Sequence, residues 1–307
     1  MSEPKARVGF IGLGNMGSPM AGNLAAAGYG ITVFDVRAET AEAFASEHGA
    51  EVAADLPGLF AASDIVIAML PNGSIVRTAI TAGLAGLPKT SERHGRLIVD
   101  MSSSAPHETR SLNELVSGYG YGLVDAPVSG GVARAKTGEL SILVGGEDAD
   151  AALAAPLFEV LGSNVFRVGG VGAGHAMKAI NNLMSAGGLL LTAEAVIMGA
   201  KSGLDPETVL RVLNASTGRT HATETKIAPY VLSGTYASGF ALQLMVKDLG
   251  IAQGIAQETG SPFVFGSAAK SVWDLAKTQL PADADQMELV RWLESLAGIE
   301  LGAHGKV

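Results

Sequence analysis

A chain of 307 residues that is 48% hydrophobic and 17% charged is long enough for two domains and too apolar for global disorder. Its formal net charge of −9 argues against a nucleic-acid-binding protein, because such proteins present a basic surface to the phosphates. The absence of cysteine excludes disulfides and thiolate chemistry, and the six histidines lack the spacing of a metal motif. We therefore expect a soluble, cytoplasmic enzyme that binds no metal, nucleic acid or membrane.

The first 170 residues alternate short apolar strands with helices. Strands are predicted over residues 8–11, 31–34, 64–70, 96–100, 121–125, 140–144 and 165–168, and helices over 18–27, 37–47, 106–117 and 149–161. This alternation indicates βαβ units and a mainly parallel sheet. Because the first strand begins close to residue 8, we expect no signal peptide.

Beyond residue 170 the strand pattern stops and the sequence predicts only helices. They cover residues 173–201, 206–215, 241–258, 262–277 and 285–296. The first of them would be roughly 40 Å long at about 1.5 Å per residue, and it is apolar on nearly every side. Glu194, Gly187 and Gly188 interrupt it, so we expect a buried helix between domains or at a subunit contact rather than a membrane span. The sequence therefore predicts an α/β domain over residues 1–170 and an all-α domain over residues 171–307.

Three glycines follow the first strand in the spacing G-x-G-x-x-G. Gly12 permits a tight turn, Gly14 lets the backbone approach a pyrophosphate, and Gly17 lets the following helix pack closely on the strand. Asp35 ends the second predicted strand, where a carboxylate accepts hydrogen bonds from the ribose of NAD. This combination predicts a Rossmann-type NAD site in which Asn15 and Met16 also belong to the cofactor loop. NADP stays possible, because the guanidinium of Arg37 could pair with a 2′-phosphate.

Two segments further along could bind an anionic substrate. Ser129, Gly130 and Gly131 follow the end of a strand, and their N–H and hydroxyl groups could cradle a carboxylate. The alternative is an ordinary glycine-rich turn, and the spacing alone favours neither. Arg219 follows the helix predicted over 206–215, where it could hold an anion or simply mark the end of that helix.

Lys178 and Asn182 stand four residues apart near the start of the long helix, so both project from one face. A buried lysine beside an oxidised nicotinamide would lose part of its affinity for a proton and could act as a general acid/base. A partly exposed lysine at the edge of an apolar face is the alternative, and without a family context it is the better one. Lys247 and Asp248 form a similar pair in a later helix, with a surface ion pair as the alternative.

Four motifs in series resemble the β-hydroxyacid dehydrogenase family over nearly the whole chain: F-I-G-L-G-N-M-G-S-P-M-A-G-N-L, D-A-P-V-S-G-G, G-A-G-H-A-M-K-A-I-N-N and K-D-L. The resemblance implies a Rossmann-type domain and an all-α domain joined by the long helix, in a homodimer or homotetramer. It implies that Lys178 is the catalytic acid/base, that Asn182 holds substrate and that the segment from Ser129 to Gly131 is the substrate loop. It also implies cofactor contacts from Leu70, Pro71, Ser103 and Lys247.

The reaction implied is the reversible NAD-dependent oxidation of a small β-hydroxy acid, such as 3-hydroxyisobutyrate, to its semialdehyde. The alternatives are an NAD(P)H-dependent reductase of glyoxylate or of succinic, tartronate or sulfonated semialdehydes, an imine reductase, and a non-catalytic binding module. Lys178 argues against the last two. Two positions depart from the family pattern, since Thr220-His221 stands where an aromatic residue is common and Met101 replaces a small residue. The substrate therefore stays open.

Overall fold

The computed structural model describes residues 5–90, 92–93 and 95–302. The chain divides into two compact units, Met1–Lys178 and Ala179–Val307. The first unit carries the sheet, and the second is helical. The prediction of a mainly parallel sheet domain followed by an all-α domain is confirmed.

The first unit is built on one sheet with nine strands in the described residues. These are β1 Val8–Ile11, β2 Ile31–Phe34, β3 Glu51–Val52, β4 Ile65–Ala68, β5 Arg96–Asp100, β6 Tyr121–Asp125, β7 Val128–Ser129, β8 Leu140–Gly145 and β9 Gly162–Gly169. Their order is β3-β2-β1-β4-β5-β6-β8-β7, with β9 paired to β8. The strands from β3 to β6 are parallel, whereas β8 runs antiparallel to β6 and β7. The order of the first six strands is that of a Rossmann fold.

Seven helices in the described part of the first unit accompany this sheet. They are α1 Gly17–Ala26, α2 Ala38–His48, α3 Leu56–Ala62, α4 Gly73–Gly83, α5 Pro106–Ser117, α6 Gly131–Thr137 and α7 Asp148–Leu161. Val8 and Phe10 of β1 pack into one apolar core, and Ile11 packs into another with residues of α3, α4 and α5. Apolar cores of this kind explain why the strands read as nearly continuous runs of Val, Ile and Leu.

Three of these helices, α3, α4 and α6, were not predicted from the sequence. No helix was predicted after the strand over residues 64–70, yet Asn72 is the N-cap of α4 and its side chain accepts a hydrogen bond from Ile75 N over 2.9 Å. Asp55 caps α3 in the same way through Gly58 N. Asn and Asp serve both turns and helix N-caps, so the residue type alone does not distinguish the two.

The second unit is made from the remaining helices. The long helix α8, Ala173–Lys201, begins in the first unit and continues into the second. It is followed by α9 Pro206–Asn214, α10 His221–Thr225, a π-helical segment Ile227–Leu232, α11 Leu242–Thr259, α12 Val264–Gln279 and α13 Glu288–Ala297. α10 and the π-helical segment were not predicted.

α8 is the one helix among the described residues that is long and apolar enough to cross a membrane. Core helices of soluble proteins have the same length and composition. Leu189, Ala193 and Val196 of α8 are completely buried, and they belong to one apolar cluster with Trp273 of α12 and Val290 of α13. The apolar residues in this part of α8 therefore belong to the core of the helical unit.

Candidate active site

The glycine loop between β1 and α1 has the geometry of a phosphate cradle. Gly12 has a positive φ of 96°, which other residues rarely adopt. A Cβ on Gly17 would overlap the carbonyl oxygen of Gly12, whereas a Cβ on Gly14 would meet no atom within 4 Å. Met16, at the N-cap of α1, makes no side-chain hydrogen bond to the helix. The first N–H groups of α1 and the space beside Gly14 therefore fit a pyrophosphate.

Asp35 lies directly after β2 and contacts this loop. Its Oδ2 accepts a hydrogen bond from Leu13 N over 2.8 Å, and its Oδ1 accepts one from Arg37 N over 3.0 Å. The side chain of Asp35 is only 8% exposed, whereas that of Arg37 is 61% exposed with its Nε 3.6 Å from Asp35 Oδ1. Asp35 thus fastens the glycine loop to β2, a structural role that the sequence did not reveal, and it places a negative charge beside the loop.

Two further loops leave the same edge of the sheet. Leu70 and Pro71 follow β4, and Ser103 follows β5. Leu70 N donates a hydrogen bond to Oγ of Ser102 over 2.9 Å, which ties the two loops together. Because the carboxyl ends of parallel strands meet at one edge, Leu70, Pro71 and Ser103 lie on the side of the sheet that carries the glycine loop.

The predicted substrate loop lies between β7 and α6. Ser129 is half-buried at the end of β7, and α6 begins at Gly131. Gly130 and Gly131 have positive φ angles of 131° and 69°. Two successive residues of this kind give the backbone a sharp bend that would be strained with other side chains. The bend separates the end of β7 at Ser129 from the start of α6 at Gly131.

Asp125, at the end of β6, holds the first turn of α8. Its Oδ1 accepts a hydrogen bond from Gly172 N over 2.8 Å, and its Oδ2 accepts one from His175 N over 2.9 Å. Asp125 is completely buried, so these two N–H groups have a charged acceptor in place of water. The sequence reasoning missed this role, although Asp100 and Asp125 both end parallel strands and that position was available as a signal.

The ring of His175 completes this buried polar cluster. Nδ1 lies 2.7 Å from Thr109 Oγ1, and Nε2 lies 3.2 Å from the carbonyl oxygen of Ser102. Carboxylate oxygens of Asp100 and Asp125 lie 3.7 and 3.8 Å from the ring nitrogens. Both ring nitrogens are occupied by protein groups, so His175 anchors α8 and is not exposed to a ligand.

Lys178 and Asn182 are both buried on α8, with 7% and 5% of their surfaces exposed. Asn182 Nδ2 donates a hydrogen bond to Asp248 Oδ2 of α11 over 2.5 Å. Asp248 Oδ1 lies 3.3 Å from Lys247 Nζ, and Asp248 is itself only 2% exposed. The ion pair of the alternative is therefore present, but its carboxylate is a buried partner of Asn182 rather than a surface group.

The last predicted substrate residue, Arg219, lies in the loop after α9. Its guanidinium is exposed, and its Nη1 lies 3.7 Å from Glu224 Oε1 of α10. Its contact with substrate stays a prediction. Among the described residues no group of three or more His, Asp or Glu side chains could hold a metal ion. Two of the six histidines, His94 and His304, lie outside the described residues.

Comparison with known proteins identifies the family. Residues 7–170 match the model of the NAD binding domain of 6-phosphogluconate dehydrogenase. Residues 172–293 match the model for NAD-binding of NADP-dependent 3-hydroxyisobutyrate dehydrogenase.

Individual relatives match along nearly their whole length. The chain is 35% identical over 299 residues to 2-(hydroxymethyl)glutarate dehydrogenase of Eubacterium barkeri, covering 97% of this chain and 98% of the relative. It is 39% identical over 275 residues to mitochondrial 3-hydroxyisobutyrate dehydrogenase of Mus musculus, covering 88% and 81%. The structure of Mycobacterium tuberculosis 3-hydroxyisobutyrate dehydrogenase with L-serine superposes with a TM-score of 0.86 at 32% identity, covering 94% and 99%. The chain belongs to the β-hydroxyacid dehydrogenase family of NAD(P)-dependent oxidoreductases.

Proposed function

We propose that the protein catalyses reversible hydride transfer between NAD and the hydroxyl-bearing carbon of a small β-hydroxy acid. The observation that carries this proposal is a buried lysine, Lys178, one helical turn from the buried amide of Asn182 in a chain of this family. The proposed substrate is 3-hydroxyisobutyrate or a similar acid, and its product is the semialdehyde. Residues 1–170 bind the dinucleotide, and residues 171–307 supply substrate contacts and the subunit interface of a cytoplasmic homodimer or homotetramer.

The cofactor residues are those of the loops described above. Bound NAD supplies the acceptor for the hydride. The backbone of the glycine loop receives the pyrophosphate, and the charge of Asp35 disfavours a 2′-phosphate and so favours NAD over NADP. The proposed contacts are Gly12, Gly14, Asn15, Met16, Gly17, Asp35, Leu70, Pro71, Ser103 and Lys247.

Lys178 handles the proton in both directions. During oxidation its Nζ accepts the proton of the substrate hydroxyl, and during reduction it returns that proton to the carbonyl oxygen. Because Lys178 is 7% exposed, bulk water has little access to this proton. Asn182 orients the substrate, and Ser129, Gly130 and Gly131 bind its carboxylate, with Arg219 as a further anion contact.

Substitution of Lys178 by alanine tests the assignment. We expect K178A to bind NAD with wild-type affinity and to lose about 10²- to 10⁴-fold in kcat, the range of general acid/base catalysis. Lys277→Ala, at an exposed position on α12, is the matched control and should retain full activity. Near-normal turnover in K178A would refute the assignment.

A substrate panel run in both directions separates oxidation of hydroxy acids from reduction of semialdehydes. It includes 3-hydroxyisobutyrate, glyoxylate, and succinic, tartronate and sulfonated semialdehydes. It also includes 2-(hydroxymethyl)glutarate, after which the Eubacterium barkeri relative is named. A protein that binds NAD and converts none of these compounds would contradict the proposed reaction.

A further inference from the structure

Lys226 is a buried lysine in the helical unit with no role in the proposed reaction. It lies between α10 and the π-helical segment, and only 8% of its surface is exposed. Its Nζ donates hydrogen bonds to Ser185 Oγ over 3.2 Å and to Gln286 Oε1 over 3.4 Å. Both acceptors are neutral, and no carboxylate within the described ranges forms an ion pair with this ammonium.

The negative charge of Asp285 attracts the Lys226 ammonium, but this attraction is weaker than the cost of burying the ammonium. The carboxylate of Asp285 accepts four hydrogen bonds, from Ser238 Oγ and from the N–H groups of Gly239, Phe240 and Met287. Burial outweighs its attraction and lowers the pKa of Lys226 to about 8. A buried cation with only neutral partners is costly, and an anion in contact with it would remove that cost.

The Lys226 ammonium and the Ser185 hydroxyl still have protons to donate. An ammonium has three N–H donors, and two of those of Lys226 are used by Ser185 and Gln286. The Ser185 hydroxyl accepts from Lys226, and its own proton has no acceptor in the part of the chain that the structure describes. The Lys226 ammonium and the Ser185 hydroxyl are therefore two neighbouring donors. The two oxygens of a carboxylate or sulfonate can accept hydrogen bonds from such a pair.

Ser185 connects this pair of donors to the proposed substrate residues. It follows Asn182 by three residues on α8, so both side chains lie on one face with a rise of about 4.5 Å between them. Ser185 is half-buried, and its Oγ accepts the hydrogen bond from Lys226 Nζ. A substrate held by Asn182 could therefore extend its far end along α8 toward the Ser185 hydroxyl.

We propose that Lys226 and Ser185 form a subsite for a second anionic group, a carboxylate or a sulfonate, at the far end of the substrate. This inference rests on the proposed function, because Asn182 fixes the near end. It assigns to the enzyme β-hydroxy acids, or the matching semialdehydes, that carry two anionic groups. Lys226 selects the second group by its charge, and Ser185 positions the ammonium.

Binding of unreactive probes tests the subsite without turnover. Isothermal titration of the full chain in saturating NAD compares glutarate, which has two carboxylates, with butyrate, which has one. A charge-assisted hydrogen bond predicts that glutarate binds about 10- to 100-fold more tightly. A third probe, 4-sulfobutyrate, distinguishes the two anions, since tighter binding than glutarate identifies a sulfonate subsite and weaker binding a carboxylate subsite.

Substitutions test whether Lys226 and Ser185 cause the preference for glutarate over butyrate. We expect K226M and S185A to reduce the glutarate-to-butyrate affinity ratio at least tenfold and K226R to restore most of it, whereas K277M on α12 should leave it unchanged. Equal affinities in the wild type, or an unchanged ratio in K226M, would overturn the subsite. If K226M fails to fold, the S185A variant and the comparison of probes in the wild type still test the subsite.

Turnover of 3-hydroxyisobutyrate and of 2-(hydroxymethyl)glutarate, measured in parallel, separates this inference from the proposed function. Turnover without a glutarate preference refutes the subsite and leaves the reaction in place. A glutarate preference that depends on Lys226, without turnover of any hydroxy acid, supports the subsite and refutes the reaction.

Discussion

Asn182 of α8 donates a hydrogen bond to Asp248 of α11 over 2.5 Å, and both side chains are buried. An ionised carboxylate only accepts hydrogen bonds, so the amide must turn its NH₂ group toward Asp248. The amide oxygen, which accepts from Asn181 Nδ2 over 3.2 Å, keeps one lone pair for another donor. This oxygen is therefore the part of Asn182 that is available to a further hydrogen-bond donor.

Asp248→Asn should disturb this orientation. The new amide no longer dictates which side of Asn182 faces it, and the charge that strengthened the bond is lost. We expect kcat/KM for the hydroxy acid to fall about 10- to 100-fold, a loss typical of misplaced substrate contacts. Steady-state kinetics measure this, with Asp274→Asn on α12 as the control. A change of less than threefold would show that Asn182 does not depend on Asp248.

The glycine loop predicts opposite phenotypes for two alanine substitutions. A Cβ on Gly17 would overlap the carbonyl oxygen of Gly12, so G17A should lose about 1–3 kcal/mol of unfolding free energy. A Cβ on Gly14 meets nothing within 4 Å, so G14A should keep its melting temperature. Its methyl group would stand where the pyrophosphate approaches, and NAD affinity should fall at least about tenfold. Calorimetric melting and NAD titration separate the two effects, and wild-type NAD binding by G14A would contradict this account.

Asp35 and Arg37 should control the choice between NAD and NADP in opposite directions. The wild type should show the higher kcat/KM with NAD, because the Asp35 carboxylate repels a 2′-phosphate. Asp35→Asn removes that charge and should raise the NADP-to-NAD ratio about tenfold, whereas Arg37→Ala should lower it. Kinetics with both cofactors check this, and a wild-type preference for NADP would overturn the assignment.

Lys226 should make stability depend on pH above neutrality. Its pKa in the folded state is lowered from 10.5 to about 8 by burial. Between these values the unfolded chain holds a proton that the folded chain has released, so this contribution to stability rises with pH. The unfolding free energy of the wild type relative to K226M should increase by about 3 kcal/mol from pH 7.5 to 10.5.

Tryptophan fluorescence in urea measures this difference, because both tryptophans, Trp273 and Trp292, lie in the helical unit. Lys277→Met is the control, since that side chain is exposed. A difference between wild type and K226M that is constant over this pH range would show that Lys226 titrates like an exposed lysine.

Local signals in the sequence were sufficient for most strands of the sheet, but not for the two-residue strand β7. Each of these signals can be recognised within a stretch of a few residues. They are the glycines of the first loop, the acid that ends β2 and the apolar runs of the strands. The mainly parallel character of the sheet follows from the alternation of strands and helices. The antiparallel placement of β8 does not, because only its pairing with β6 and β7 defines its direction.

Roles that depend on distant partners could not be predicted. Asp248 pairs with a residue 66 positions away, so nothing near it in the sequence distinguishes a buried partner of Asn182 from a surface acid. Asp35 was expected to serve the cofactor, but its anchoring of Leu13 depends on the closed turn. Lys226 is flanked by Thr225 and Ile227, and neither neighbour indicates that its ammonium is buried.

The cap that Asp125 provides for α8 has a consequence for the order of folding. Its two hydrogen bonds join residues that are 47 and 50 positions apart in the sequence. The N–H groups at the start of α8 therefore find this acceptor only after the intervening chain has folded back. Strand β6 must be in place before the start of α8 is secured. During refolding, helical content should therefore return before enzymatic activity, because the start of the helix that carries Lys178 is stabilised only after the sheet has formed.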